Sequence, residues 1–252
     1  MHTTVLQPTY LPWLGYFEMV DAADQFVVFD HVQFEGSSWQ SRNRIAGPNG
    51  VIMLSVPVLS DGTTQVPIIR KRIDYRQSWV RKHLGSIESA YRKAPFFEQY
   101  IDGIRAILAS QPEMLVDLTL PLIRYIADCL GIDTPFRRSS EIVKEDGFQL
   151  DKTGRLLSLC RQSGTTLLFE GASGANFLDT HRFAESGIEV VFQNYKHPVY
   201  HQLRQGFTPN MSVIDLLFNC GNESLAILRT GLRRLPRRGD GVEATAVVPS
   251  AV

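Results

Sequence analysis

Cysteine is scarce in this chain. Three occur in 252 residues, Cys129, Cys160 and Cys220, and none is spaced from another as zinc ligands are. Isolated thiols among apolar neighbours predict reduced cysteines in a reducing compartment. Cys220, in Phe-Asn-Cys-Gly-Asn, has no adjacent basic residue to lower its pKa, so it reads as a buried helical cysteine rather than a nucleophile. Net charge is also missing, since 26 Lys and Arg stand against 26 Asp and Glu. That removes the overall basic excess typical of nucleic-acid-binding domains. No apolar run approaches the roughly 18 to 20 residues needed to cross a bilayer. The opening MHTTVLQPTYLPW lacks the basic-then-apolar layout of an export signal. These absences predict a cytoplasmic protein whose partner is a small molecule, with no nucleic acid and no membrane insertion.

Apolar residues are plentiful, at 44% of the chain, enough for a sizeable core. Residues 3–6 are short, apolar and β-branched. A loop with prolines and a glycine (7–15) follows, and then Tyr16, Phe17, Met19, Val20 and Ala23 recur at helical spacing. Aromatic and β-branched residues over 25–34 predict a second strand, and 51–59 a third after a Gly-Pro-Asn-Gly turn. Helical periodicity dominates 78–130, with a break at Ala94-Pro95 and a stop at Gly131. The last third alternates again: strand 134–137, helix 152–162, strand 165–169, helix 180–186, strand 188–193, helix 212–218. With no internal repeat and no Ser/Gly or Pro-rich linker, this predicts one α/β domain over 1–231. Its sheet is open and parallel with a helical insertion, and 232–252 form a tail.

Three clusters could do chemistry. The first is LQPTYLPWLGYF, where Gln7, Tyr10, Trp13 and Gly15 leave the carboxyl end of the first strand, the edge at which open α/β sheets bind ligands. The competing reading makes its aromatics core anchors. The second is SSWQSRNRI, with Trp39, Arg42, Asn43 and Arg44. Alternation in an extended segment puts the two arginines on one side and Asn43 on the other, and arginines clamp phosphate or carboxylate. The third joins Glu170 and Gly171, in FEGASG, to Lys196 and His197, in NYKHPVY, with Asp215 in reserve. His197 is the leading acid/base candidate because it sits in an irregular segment and titrates near neutrality. His197 and His201 flank Pro198 without a third ligand, so no metal is expected. Residues 70–93 carry eight basic side chains against two acidic ones. A solvated helix face explains them better than a polyanion site.

The ordered motifs LQPTYLPWLGYF, VQF, SWQSRNRI, RID, KHL, YRKAPFF, YKHPVY and SVIDLLFNCG together resemble the WbqC-like family of bacterial proteins, from Thr3 to about Gly231. The resemblance implies a cytoplasmic protein encoded among genes for surface polysaccharides such as O-antigen. Two places depart from the family's usual look, Asp30-His31 and FEGASG. The opening run is also similar in layout to pantothenate synthetases and related nucleotidylyltransferases, with Trp13-Leu14-Gly15-Tyr16 in place of an HxGH motif. That likeness implies a HUP-type nucleotide-binding sheet whose glycine is kept and whose histidines are replaced.

These readings converge on a transferase modifying a nucleotide-linked (amino) sugar in surface polysaccharide, or lipopolysaccharide, biosynthesis. His197, Lys196 and Glu170 would carry proton transfer. Gln7, Tyr10, Trp13, Gly15, Trp39, Arg42, Asn43, Arg44, Gly171 and Asp215 would hold the substrate. No cofactor is required; ATP or a nucleotide sugar enters as substrate. The alternatives are an ATP-dependent amide-forming ligase working through an acyl-adenylate, and a non-catalytic nucleotide-sugar-binding or scaffold protein.

Overall fold

The computed structural model describes residues 1–60, 62, 66–143, 150–204 and 206–231; the expected tail lies outside the described residues. The chain opens with β1 (His2–Leu6), crosses through α1 (Leu14–Ala22) and returns as β2 (Gln25–Val28), parallel to β1 and beside it. A hairpin of β3 (Arg42–Gly47) and β4 (Gly50–Ser55) follows. Then come the helices α2 (Trp79–Tyr91), α3 (Phe97–Ala109) and α4 (Leu115–Leu130). The remainder is β5 (Phe136–Arg138), α5 (Ser139–Ile142), α6 (Lys152–Gln162), β6 (Leu167–Glu170), α7 (Thr180–Glu185), β7 (Glu189–Phe192), α8 (Val213–Cys220) and α9 (Ser224–Thr230).

The main sheet is parallel throughout, in the order β5-β2-β1-β6-β7. The chain therefore builds outward from β1 in one direction, through β2 and β5, and then in the other, through β6 and β7. The order reverses between β1 and β6, which makes their carboxyl ends the topological switch point. The order is compatible with a HUP-type sheet.

Both faces of this sheet are covered, as a parallel sheet requires. Phe26 and Val28 of β2 pack with Leu14, Phe17 and Val20 of α1 and with the α2 to α4, α8 and α9 helices. Val5 and Val27 face the other way, onto Leu156, Leu159 and Cys160 of α6 and Phe183 of α7. All three cysteines are free thiols. Among the described residues no helix is long and apolar enough to cross a membrane.

Two segments differ from the sequence reading. The stretch expected to be a third strand of the parallel sheet forms β4 instead, paired antiparallel with β3 in a separate two-stranded sheet. Its alternation, with Leu54 buried and Val51 and Met53 exposed, is that of a sheet wet on one face. The second strand stops at Val28 rather than running to residue 34. Asp30 and His31 both turn inward there, against β5 and α5, whereas an unbroken strand over 25–34 would put them on opposite faces.

Candidate functional site

The loop between β1 and α1 is bent into shape by its neighbours. Leu11 is fully buried at φ 45°, a left-handed conformation that costs a bulky residue energy. Its carbonyl accepts from Nδ2 of Asn43 at 2.8 Å. The Tyr10 amide donates to the Trp39 carbonyl at 3.1 Å. From the other side, the Val213 amide donates to the Pro12 carbonyl and the Ser212 amide to the Arg44 carbonyl, both at 2.8 Å. Arg44 Nε reaches the carbonyl of Asn210, another residue at positive φ, at 2.9 Å. The first loop, β3 and the segment leading into α8 are thus stitched together.

They enclose a pocket of about 200 Å³ lined by Thr9, Trp13, Tyr16, Trp39, Asn43, Arg44 and Asn210. The Arg44 guanidinium lies 5.6 Å from the Trp39 ring centre. Trp39 itself is 48% exposed at the mouth. Trp13 precedes α1 without capping it through its side chain, and its indole folds back over Gly15. A Cβ on Gly15 would fall 2.3 Å from that ring, so only glycine lets the indole lie there. The far side of Trp13 meets Tyr195 at 5.8 Å, edge on, and His197 at 6.4 Å, stacked at 22°. Strand alternation holds in β3: Arg42 and Arg44 are half-buried while Asn43 is buried.

The remaining expected residues fall in different places. Gln7, at the end of β1, accepts from Gln40 Nε2 at 2.7 Å. Tyr10 is wholly buried, its hydroxyl 3.0 Å from Nδ1 of His83, and belongs to the core in this arrangement. Burial holds His83 down at about 4, so it is neutral. Arg42 does not line the pocket, and its Nε is buried without a partner among the described residues. Lys196 is exposed, and its backbone amide donates to the Gly231 carbonyl. Gly171 leads out of β6, with open space where a Cβ would stand. Neither nitrogen of His197 is presented to the pocket, since Nδ1 bonds the Pro198 carbonyl at 2.8 Å and Nε2 is buried. Asp215 is buried beneath Tyr200 and Gln202.

Glu170 stands at the carboxyl end of β6, at the switch point. Burial pushes its carboxyl up to about 7, with the Gly171 amide pulling it partly back. Gly174 makes room for it: a Cβ there would sit 2.4 Å from Glu170 Cγ.

Glu18 and Gln193 escaped the sequence reading. Glu18, one turn into α1 and 2% exposed, accepts from the Gln193 amide, which also donates to the Gly15 carbonyl at 2.7 Å. The Gln193 backbone amide donates in turn to the Glu170 carbonyl at 2.8 Å. The sequence signal was an acidic residue on an otherwise apolar helix face. Burial raises Glu18 from 4.5 to about 7, offset by Gln193 and reinforced by the charge of Asp21. Its folded pKa lies above the unfolded value, so the folded state holds the extra proton. Stability is then lost as pH rises from 4.5 through 7. Glu18→Gln is expected to be more stable than the parent at pH 8, by up to about 3 kcal/mol, and no more stable at pH 4. Urea unfolding at the two pH values measures this.

A sequence model of the WbqC-like protein family matches residues 7–227. The chain belongs to the WbqC-like family. It is also 34% identical over 227 residues to the uncharacterized protein Rv1507c of Mycobacterium tuberculosis, covering 89% of this chain and 96% of that protein. No solved structure matches. The matched span includes every residue of the pocket, and Glu18 and Glu170 as well.

Proposed function

We propose that this WbqC-like protein is a transferase acting on a nucleotide-linked sugar, with amino sugars the class in view, during assembly of a bacterial surface polysaccharide. The observation that carries the reading is the aromatic and cationic pocket beside the amino end of α1, on a parallel sheet whose order reverses next to β1. At about 200 Å³ the pocket is smaller than the roughly 300 to 1,000 Å³ of sites that enclose a whole drug-sized ligand. It suits one ring, a sugar or a base, with the rest of the ligand lying along the surface. Trp13 and Trp39, which line the pocket, give that ring aromatic surface to pack on. Arg44, held over Trp39, places a guanidinium where a phosphate would follow, and Arg42, whose Nε has no partner among the described residues, lies in the same strand. The dipole at the amino end of α1 favours the same charge. Glu170, poised near neutrality at the switch point, is the acid/base group this reading uses.

Calorimetry with a panel of nucleotide-linked sugars tests it. The parent protein is expected to bind at least one, and Trp39→Ala and Arg44→Ala each to weaken that binding roughly 5- to 100-fold, the range for a lost stacking or charge-assisted contact. Absence of binding across the panel refutes the reading.

The sheet order also favours a second reading, ATP-dependent amide formation through an acyl-adenylate. Pyrophosphate released only when ATP and a carboxylic acid are both present would select it.

A further inference from the structure

Between Glu35 and Asp61, and again between Glu189 and Asp215, the chain carries no acidic residue; at 25 residues each, these are its two longest acid-free runs. They hold four cationic side chains, Arg42, Arg44, Lys196 and Arg204. In a chain of zero formal net charge, such runs make positive surface only where the fold brings them together. Here it does. Arg44 Nε donates to the Asn210 carbonyl at 2.9 Å, the Ser212 amide to the Arg44 carbonyl at 2.8 Å, and the Arg204 guanidinium to the Gly47 carbonyl. The same two runs carry five of the seven exposed large apolar side chains among the described residues: Trp39, Val51, Met53, Val199 and Leu203. Single exposed apolar residues are ordinary, but their concentration marks an interaction surface.

The hairpin sets the local arrangement. Arg44 stands opposite Met53, and Ala46 opposite Val51, so by strand alternation Arg44, Met53 and Val51 share one face of it. The Arg44 guanidinium lies against Trp39 at the pocket mouth. At the other end, Arg204 is anchored to the hairpin's turn, with Leu203 exposed beside it in the chain.

We propose that this face, from Trp39 across β4 to the segment around Leu203, docks the protein on the surface of a bilayer containing anionic phospholipid. The docking is peripheral: the aliphatic side chains enter the acyl boundary, Trp39 lies at the headgroup level, and the cations meet the lipid phosphates. Each cation near such a surface adds attraction that salt screens. Lipid fits better than nucleic acid, because aliphatic side chains accompany the cations, whereas single strands are held by stacking on aromatic ones. It fits better than a second copy, because this face laid on itself would set cations against cations. The pocket then opens beside the bilayer. The inference does not depend on the sugar reading, and failure of every nucleotide-linked sugar to bind leaves it standing.

Flotation of the full chain with lipid vesicles tests the proposal. Phosphatidylcholine vesicles with about 30% phosphatidylglycerol are expected to bind it roughly tenfold or more tightly than pure phosphatidylcholine, and about 0.5 M salt to release it. Lipids brominated on their acyl chains should quench part of the tryptophan emission of the bound protein, and that part should vanish in Trp39→Phe. Met53→Asp is expected to weaken binding roughly tenfold or more. Phe177→Asp, which adds the same charge at an exposed apolar position outside both runs, should leave binding nearly unchanged. Comparing these two variants also cancels any attraction due to Arg233, Arg234, Arg237 and Arg238. If Met53→Asp fails to fold, Val199→Asp takes its place. Equal losses in the two variants, equal binding to both kinds of vesicle, an unquenched Trp39, or no vesicle binding at all overturns the proposal. Retention on single-stranded RNA that Met53→Asp abolishes, without vesicle binding, overturns it too and makes the face a nucleic-acid site.

Discussion

Asp30→Ala is expected to lower the stability of the protein by about 3 to 5 kcal/mol, the range for breaking a buried ion pair from one side. Asp30 is completely buried where β2 ends. Its Oδ2 accepts from Arg138 Nε at 2.6 Å and from the Ser140 hydroxyl at 2.9 Å; its Oδ1 accepts from the Ser139 hydroxyl and the Ser140 amide, each at 3.0 Å. One carboxylate therefore ties the end of β2 to the end of β5 and to the first residues of α5. His31 joins the same knot, its Nδ1 2.6 Å from the Ser139 hydroxyl. Truncation leaves a partly buried cation, the buried Ser139 hydroxyl and the partly buried Ser140 hydroxyl without their acceptor, which is why the cost exceeds that of one hydrogen bond. For a chain of this size the melting temperature should fall by roughly 6 to 20 °C. Ser140→Ala, which removes one donor and leaves the charge pair intact, should cost only about 0.5 to 1.5 kcal/mol. Equal losses in the two variants would show that the carboxylate is not the centre of the knot.

This knot also shows where the sequence stops being legible. The crossover from β1 through α1 to β2 could be read from spacing alone, because apolar period 2 gives way to period 3.6 across a proline-bearing loop. The helix at 152–162 was expected at its observed bounds, where the Asp151 side chain accepts from the Gly154 amide. The end of β2 was not legible. Asp30 and His31 continue an alternating pattern locally, and only partners more than a hundred residues away, Ser139 among them, pull both inward. The β3–β4 hairpin hid for a related reason. Arg42, Asn43 and Arg44 look like a polar loop because that strand is stabilised by Leu11, Asn210 and Ser212 rather than by apolar neighbours of its own. Long-range polar contacts of this sort leave no period in the sequence.

The candidate site divides along the same line. Trp13, Trp39, Asn43 and Arg44 were found because aromatics and arginines concentrate in irregular segments, and the structure gathers these four around one pocket. Tyr10 carries the same kind of signal but lies in the core against His83, a placement set by packing that residue type does not reveal. Glu18 and Gln193 carried no such signal. An acidic residue on an apolar helix becomes informative only when a partner is seen beneath it.

The largest effect on chemistry is expected from Glu170→Gln, which should reduce kcat roughly 100- to 10,000-fold, the usual contribution of a general acid or base, with little change in KM. The switch-point position and the raised pKa argue for this, with Glu170 standing outside the set of residues that line the pocket itself. Glu170 ends β6, beside β1 at the switch point, and its carbonyl accepts from the amide of Gln193, the residue after β7. Burial brings its carboxyl up to about 7, so near neutral pH it can accept the proton that an attacking hydroxyl or amine releases as its bond to the transferred group forms. Afterwards it can return that proton to the leaving oxygen. The parent rate should therefore show a limb near pH 7, and the variant should lack it. A structural role makes the opposite forecast for stability. Because the folded pKa is raised, the carboxylate is a burden that grows as pH rises from 4.5 to about 7 and is complete above it, so glutamine should not lower the melting temperature at pH 8. A variant that melts early at pH 8, or that keeps both the parent rate and the limb, would move the acid/base role elsewhere. Glu18, linked to Glu170 through Gln193 and raised to about the same value, is the next group to examine. Its 2% exposure makes direct contact with a substrate the harder case, so a limb that survives Glu170→Gln and disappears in Glu18→Gln would mean that the pocket opens toward α1 during turnover.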